Sequence, residues 1–416
     1  MKKYDVAVVG GGFAGFAAAL SAARGGARVL IIEKANCLGG SAVNCLVTPF
    51  MPHWKVENDE KVRLAKGIFE EIHNKLEERG AMRGESFSEE ELKFLLNDMA
   101  EEAGIDLLYH AYIFKAHKDG DKIKAVSLAT RRGELQVQAD YFIDATGDAQ
   151  LAYLAGCPTV LGRESDNLCQ PMTLCFRLGN VDVETFYEHR DKLDEIYKEH
   201  LAAGEFINPR ENILVFKTPT KNVLHFNTTR VVKKNPTDPF DFTQAEIIAR
   251  KQVRETYEFV KKYGKGLENS FLMSTAAEIG VRESRKIVGD YVLTEDDCKN
   301  LTKFDDAVSV SNYMIDIHNP EGAGTSRYYF PNGEYYTIPY RSLIPQGVDN
   351  LLVAGRCISS DHSAQASYRI MPFVACIGEA AGTATALAVK DKIGVRQVNI
   401  RQLQKTLKEN GAFIGI

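Results

Sequence analysis

The residues with the plainest chemical use stand near the start of the chain. Gly10, Gly12 and Gly15 follow the order G-x-G-x-x-G, and Glu33 closes the next apolar run. Glycine at the first place permits a tight turn. At the second it lets a pyrophosphate approach the backbone, and at the third it lets a helix sit close on a strand. Tyr4 to Val9, before the motif, is a β-branched run long enough for a buried parallel strand. Phe13 to about Arg24, after it, has a helical pattern, and its N-terminus points roughly half a positive charge at the phosphates. Arg28 to Ile32 is the next strand, and Glu33 at its end can accept from both ribose hydroxyls. An acid there disfavours a 2′-phosphate. The motif alone marks many glycine turns that bind nothing, but between strand and helix, with its acid in place, it is a dinucleotide site.

Several later residues fit the same ligand. Gly39, Gly40 and Ser41 can bring backbone amides to a second phosphate or a ring system, though in isolation they read as a loop. Asp144-Ala145-Thr146-Gly147-Asp148 ends a strand where doubly wound sheets bind ligands; Thr146 and Gly147 pack beside the dinucleotide, and Asp148 reads equally as a helix cap. Gly347 to Arg356 is an apolar run ending in Ala354-Gly355, again a strand meeting a ligand. In Phe373 to Val389, Gly378 and Gly382 lie four apart, which allows close approach to a flat ring or to the sheet, and equally a tightly packed core helix.

The elements that position these residues can be read along the chain. Asp59 to about Gly80 and Glu89 to Ala103 read as helices, the second opened by a capping box at Ser88 and stopped by Gly104. Ile105 to Asp144 reads as a β-meander with turns at Asp119-Gly120 and Arg132-Gly133, returning to the parent sheet through Ala139 to Ile143. From about Pro158 to Pro345 strand-like pieces (Met172 to Leu178, Asn212 to Val215, Val223 to Phe226) mix with polar helices at Val183 to Ala203 and Thr243 to Tyr263. The expected fold is α/β. A Rossmann-like domain with a β-meander spans 1–157, with a helical insertion at about 55–103, and is completed by 346–416 with C-terminal helices. An inserted α+β substrate or cap domain spans 158–345.

With 416 residues, 44% of them hydrophobic, the chain can bury a large core. A net charge of −5 and no long basic run give no footprint for nucleic acid or anionic membrane. Eight cysteines without a C-x-x-C, and a first strand beginning close to Met1, point to free thiols in a cytoplasmic protein. No stretch reads as a membrane helix. Cys45, alone after the glycine pair, reads as a small buried hydrophobe, since dithiol chemistry needs a second cysteine. Cys376 on the small-residue helix reads likewise. The composition leaves room for a homo-oligomer.

Taken together, VVGGGFAGFAAALSAARGGARVLIIEK, FIDATGDA, AAEIGVRESRKIVGDYVLTEDD, YTIPYRSLIPQGVDNLLVAGRCIS and YRIMPFVACIGEAAGTATALAV resemble two-dinucleotide-binding-domain flavoproteins. More narrowly, they are similar to bacterial FAD-dependent oxidoreductases related to fumarate reductase flavoprotein subunits. The resemblance runs from end to end and implies FAD without implying a substrate. It places Gly10, Gly12 and Gly15 at the pyrophosphate, Glu33 at the adenosine ribose, and Lys34, Gly40 and Ser41 along the cofactor. Ile113 would offer backbone to the adenine, and Ala145, Thr146, Gly147 and Asp148 would close the adenosine side. Gly355, Arg356, Gly378, Glu379 and Gly382 would approach the ribityl chain and ring. No histidine adjoins Gly40-Ser41, so FAD is expected to bind non-covalently, and no iron–sulfur cysteine spacing occurs.

With FAD supplying the redox step, hydride transfer needs an acid or base, and cations if the substrate is anionic. Arg282 and Arg285, three apart, would share a face if helical and could grip a carboxylate; a salt bridge to Glu283 or Glu278 is the plain alternative. His318 and His362 are loop histidines in the useful pKa range, although most such residues are surface or spacer groups. Tyr340, Arg341 and Arg369 flank the resumed domain, and Tyr340 reads equally as a core aromatic. The expected function is hydride exchange between FAD and a small polar molecule, a sugar-like alcohol or an organic acid, with a separate electron acceptor or donor. The alternatives are reduction of an activated C=C bond with an arginine as proton donor, and a flavin electron-transfer subunit without its own substrate.

Overall fold

The structure, a computed structural model, describes residues 3–416. Five parallel strands form its centre in the order Asp106–Leu108, Val29–Ile32, Tyr4–Val9, the second half of Gly133–Asp144, and Leu351–Val353. The first half of Gly133–Asp144 leaves this sheet and pairs antiparallel with Lys122–Thr130, which pairs with Tyr112–Asp119. Register decides where chemistry can occur. Val9 lies beside Ile32 on one side and Asp144 on the other, and Asp144 lies beside Val353. Gly10, Glu33, Ala145 and Ala354-Gly355 therefore leave the sheet side by side at its carboxyl edge. The chain crosses from the central strand in opposite directions there, the usual crevice of a doubly wound sheet.

The helix Phe13–Arg24 covers one face of this sheet and packs on the helix Met371–Asp391. Both are rich in alanine and glycine, so their backbones come close. A Cβ on Gly378 would lie 2.0 Å from the Ala14 oxygen, and one on Gly382 2.1 Å from the Ala18 oxygen. Met371–Asp391 is long and apolar enough to span a membrane by length and composition, which corrects the expectation that no segment would be. Here 89% of its apolar window is buried inside the protein, so its hydrophobicity is explained by the core.

A second apolar core is built from Leu46 and residues 172–281 and includes Phe176, Phe226, Tyr197 and Phe259. Its antiparallel sheet runs Val215–Lys217, Leu224–Phe226, Phe176–Gly179, Phe271–Thr275. The helix Pro239–Tyr263 covers it, capped by Asp238, whose carboxylate accepts from the Phe240 and Asp241 amides. Residues 287–344, grouped with this domain in the sequence reading, pack instead into the first core through Ile287, Val308, Tyr336 and Leu343.

Three local expectations change. The chain over 59–67 is not helical: Trp54–Glu57 and Glu60–Arg63 form a hairpin, and the helix begins only at Ile68. Asn58 and Asp59 take positive φ (51° and 63°), which a two-residue turn of the right twist requires and which Asn and Asp tolerate. The helix expected over 183–203 breaks at His189 into Val183–Glu188 and Arg190–Ala202. Arg282 and Arg285 are not on a helix, since Arg285 opens the strand Arg285–Ile287.

Candidate active site

The carboxyl edge of the parallel sheet opens into a cleft of about 710 Å³ that reaches the second core. Gly10 turns the chain at φ +101°, where a side chain would strike the Ala145 carbonyl at 2.4 Å. Gly15 backs this turn without lining the cleft, and its Cβ would lie 1.8 Å from the Gly10 oxygen. Gly12 is different: its backbone is extended (φ −70°, ψ −176°), and a Cβ there would meet only the Gly40 Cα, at 3.7 Å. That room is open toward the cleft, and the helix beginning at Phe13 has no side-chain cap. Such an uncapped N-terminus beside an open glycine fits a pyrophosphate.

Glu33 is buried behind the same turn, accepting from the Gly11 amide at 2.6 Å and the Ala35 amide at 2.8 Å. Lys34 lines the cleft in an ion pair with Glu278 (2.6 Å), and Gly40, Ser41 and Ile113 line it further along. Ala145, Thr146, Gly147 and Asp148 form its floor with Gly355 and Arg356. Asp148 caps no helix. It accepts from Arg356 Nη2 (2.8 Å) and Ser284 Oγ (2.5 Å), and these partners hold its carboxyl below the usual range against burial. The short helix Gln150–Leu154 is anchored instead by Asp144, which accepts from the Thr146 and Ala152 amides, and by Thr146 Oγ1, which accepts from the Gln150 amide. Arg356 Nε is buried without a partner, a donor left over for an anionic ligand. The open glycine, the uncapped helix and this donor together fit the phosphates of FAD.

Three cofactor positions fall elsewhere. Gly378 and Gly382 face the Phe13–Arg24 helix, as above, and do not line the cleft. Glu379 lines a separate pocket with Arg24 and Glu71, where it accepts from the Ile68 amide at 3.0 Å, and burial pushes its carboxyl up to about 7. The helix that carries them meets the cleft through its first turns, at Met371 and Val374.

Of the acid–base candidates, Arg285 and Arg369 line the cleft, whereas Arg282, His318, His362, Tyr340 and Arg341 do not. Tyr340 is a core aromatic: it is fully buried and its hydroxyl donates to the Val395 carbonyl at 2.9 Å. Arg341 pairs with Asp306 at 2.9 Å. His362 Nδ1 lies 2.8 Å from Glu283, a fully buried carboxylate that also binds Lys286 at 2.7 Å, so this histidine locks an ion cluster. His318 belongs to a strand, Ile315–His318, and both ring nitrogens are engaged: Nε2 with Asp316 (3.1 Å), Nδ1 with Arg230 (3.1 Å). Burial and Arg282 keep it neutral, with its pKa well below the ordinary value. Arg285 donates to the Asp148 carbonyl and the Gln150 side chain and lies over the Tyr153 ring at 4.2 Å, apart from Arg282.

The structure adds a feature that no local signal could announce. Arg210, Arg230, Arg282, Arg327 and Arg369 gather around Asp316 and Glu211, with Glu283, itself paired to Lys286 and His362, also near Arg369. Arg369 borders the cleft and donates to the Asp316 carbonyl at 3.1 Å. Arg282 donates to the Pro171 carbonyl (2.6 Å) and Thr173 (2.5 Å), and burial beside the other arginines pulls it down to about 9. Arg210 Nη1 and Gln170 Nε2 are buried donors without partners. All eight cysteines are buried and free; Cys45 borders the cleft with its thiol pushed up to about 12 by burial, and Cys376 contacts the Lys66 carbonyl.

Residues 5–407 match the family described as FAD dependent oxidoreductase, and the chain belongs to it. It is therefore an FAD-dependent oxidoreductase. A digeranylgeranylglycerophospholipid reductase of Thermoplasma volcanium is 26% identical over 220 residues, 50% of this chain and 53% of that protein. The chain thus spans about half the length of the curated relative it matches. Among solved structures, a geranylgeranyl bacteriochlorophyll reductase-like protein of Thermoplasma acidophilum covers 98% of this chain and 84% of its own, with 14% identity and a TM-score of 0.48. A p-nitrophenol 4-monooxygenase of Pseudomonas putida covers 100% and 90%, with 11% identity and a TM-score of 0.47. None of these three is a fumarate reductase flavoprotein subunit.

Proposed function

We propose that this oxidoreductase exchanges a hydride between non-covalently held FAD and a small organic acid. FAD supplies the electron chemistry, and the protein must bind, orient and desolvate the acid. The arginine cluster carries this reading. Four guanidinium groups, Arg210, Arg230, Arg282 and Arg369, are each drawn below their ordinary pKa by burial although Asp316, Glu211 and Glu283 lie near, while Arg327 is exposed; an incoming carboxylate relieves the buried four. Arg369 is placed to make the first contact, because it alone of the five borders the cleft. Arg282 and Arg230 stand behind it, and His318 holds Asp316 and Arg230 in position. The sugar-like alcohol considered from the sequence has no such cluster to answer.

A second reading, reduction of an activated C=C bond in an unsaturated acid, is favoured by one observation. Both candidate histidines are tied to carboxylates away from the cleft, so the acid at hand is a guanidinium, that of Arg369, which borders the cleft and is drawn below its ordinary pKa by burial. The digeranylgeranylglycerophospholipid relative is itself named a reductase. Both readings need the carboxylate contact. Removing one partner of a desolvated charge pair costs about 2–5 kcal/mol, so Arg369→Gln should keep its flavin and react with acids about 10²-fold more slowly. Wild-type rates in that variant would overturn the proposal.

A further inference from the structure

Phe13 lines the cofactor cleft, and its ring lies 5.7 Å from Phe50 and 6.3 Å from Phe69. One aromatic layer beyond it, His53, His73 and Glu85 turn toward a common point. Both imidazoles are buried, 1% and 2% exposed. His53 Nε2 has no partner, His73 Nε2 and Glu85 Oε2 have only each other, at 3.5 Å, and all three atoms lie within 4.8 Å of one another. A buried polar atom without a partner costs about 1–3 kcal/mol. An orphaned His53 Nε2 aimed at a long His73–Glu85 contact, beside the rings of Phe50 and Phe69, is accounted for if an ion sits between the three.

We propose that His53, His73 and Glu85 bind one divalent transition-metal ion of the zinc class. Two imidazoles and a carboxylate are a donor set that such an ion accepts, whereas magnesium and calcium prefer oxygen ligands throughout. In a tetrahedral site with metal–ligand distances of about 2.0–2.1 Å, neighbouring ligand atoms stand about 3.3 Å apart. His73 Nε2 and Glu85 Oε2 are already 3.5 Å apart, so little movement closes that edge. The outer contacts agree for His53: its Nδ1 lies 3.0 Å from the Met51 carbonyl, which keeps the proton on Nδ1 and leaves Nε2 free to coordinate. His73 needs one rearrangement. Its Nδ1 now faces Arg63 Nη2 at 3.0 Å and Glu77 at 3.6 Å. Coordination through Nε2 puts the proton on Nδ1, so Glu77 becomes its acceptor. Arg63 then leans onto Glu70 and Glu77, each 3.8 Å from it. Water takes the fourth place.

The ion ties together three successive segments: the loop before Trp54, the helix Ile68–Glu78, and the turn between Met82–Arg83 and Ser86–Phe87. It therefore braces the wall behind Phe13 from outside the catalytic cleft.

The test uses the full FAD-loaded protein, stripped by a chelator and titrated with Co²⁺ and then Zn²⁺. The proposal expects visible d–d bands that saturate at one equivalent, their loss when Zn²⁺ displaces Co²⁺, and a higher melting temperature with either ion. His53→Gln and Glu85→Gln should each weaken metal uptake at least about tenfold, as lost ligands do, while retaining the flavin spectrum. Folded, flavin-loaded wild-type protein that takes up less than about a tenth of an equivalent would show a hydrogen-bonded network only and overturn the proposal. Undiminished uptake by both variants would overturn it as well.

Discussion

Replacing Gly12 with alanine separates a glycine kept for a ligand from one kept for the fold. The Gly12 backbone is extended, and the new methyl would lie 3.7 Å from the Gly40 Cα, an ordinary contact. Folding should therefore tolerate the change, and could gain about 0.4–1 kcal/mol because alanine restricts the unfolded chain. The methyl does, however, fill the space through which phosphate reaches the uncapped helix. Displacing the pyrophosphate from two amide donors, at about 1.5–3 kcal/mol for each hydrogen bond to a charged group, costs about 3–6 kcal/mol. That is about 10²- to 10⁴-fold in FAD affinity. Gly15→Ala is the control, because its methyl would lie 1.8 Å from the Gly10 oxygen and must disturb the fold itself. The assay is thermal melting of each apoprotein followed by a flavin fluorescence titration. A Gly12→Ala protein that melts normally and binds FAD as wild type does would refute the assignment of this turn to the pyrophosphate.

Gly378→Ala and Gly382→Ala should each lower stability by at least about 1–3 kcal/mol through overpacking, read as a lower melting temperature, while the folded fraction keeps its FAD affinity. Glu379 should make stability fall as pH rises. Its folded pKa, about 7, lies above its ordinary 4.5, so between those values the folded state holds the proton that the unfolded state has lost. The gap corresponds to about 3 kcal/mol of stability present below pH 4.5 and lost by about pH 7. Urea denaturation of wild type and Glu379→Gln at pH 5 and pH 8 checks this, since the variant should lack that component. His362→Ala should leave the rate of flavin reduction within about a few-fold of wild type, because the ring binds Glu283 and not the cleft.

The parts of this protein legible in sequence are those specified within about thirty residues. The Tyr4–Val9 strand, its glycine turn and the Phe13–Arg24 helix carry their own signals, and the meander after Ile105 carries its turns. The hairpin at Asn58-Asp59 was hidden because its strands are half polar and lie on the surface. Small residues at Gly378 and Gly382 fit a ring or another helix equally well, and only the opposing Ala14 and Ala18 backbone decides. The arginine cluster draws on positions 210, 230, 282, 327 and 369, which only the completed fold brings together. Tyr340, His318 and His362 could be named as reactive types, but burial and partners, which no local pattern encodes, gave them other work.

The most direct measurement is anaerobic mixing of the FAD-loaded enzyme with small carboxylic acids and their matched amides, in both flavin redox states, followed by visible absorbance. Acids should bleach oxidised flavin, or unsaturated acids restore reduced flavin, while the amides do neither. Equal response to acids and amides, or a response to neutral alcohols alone, would contradict that expectation.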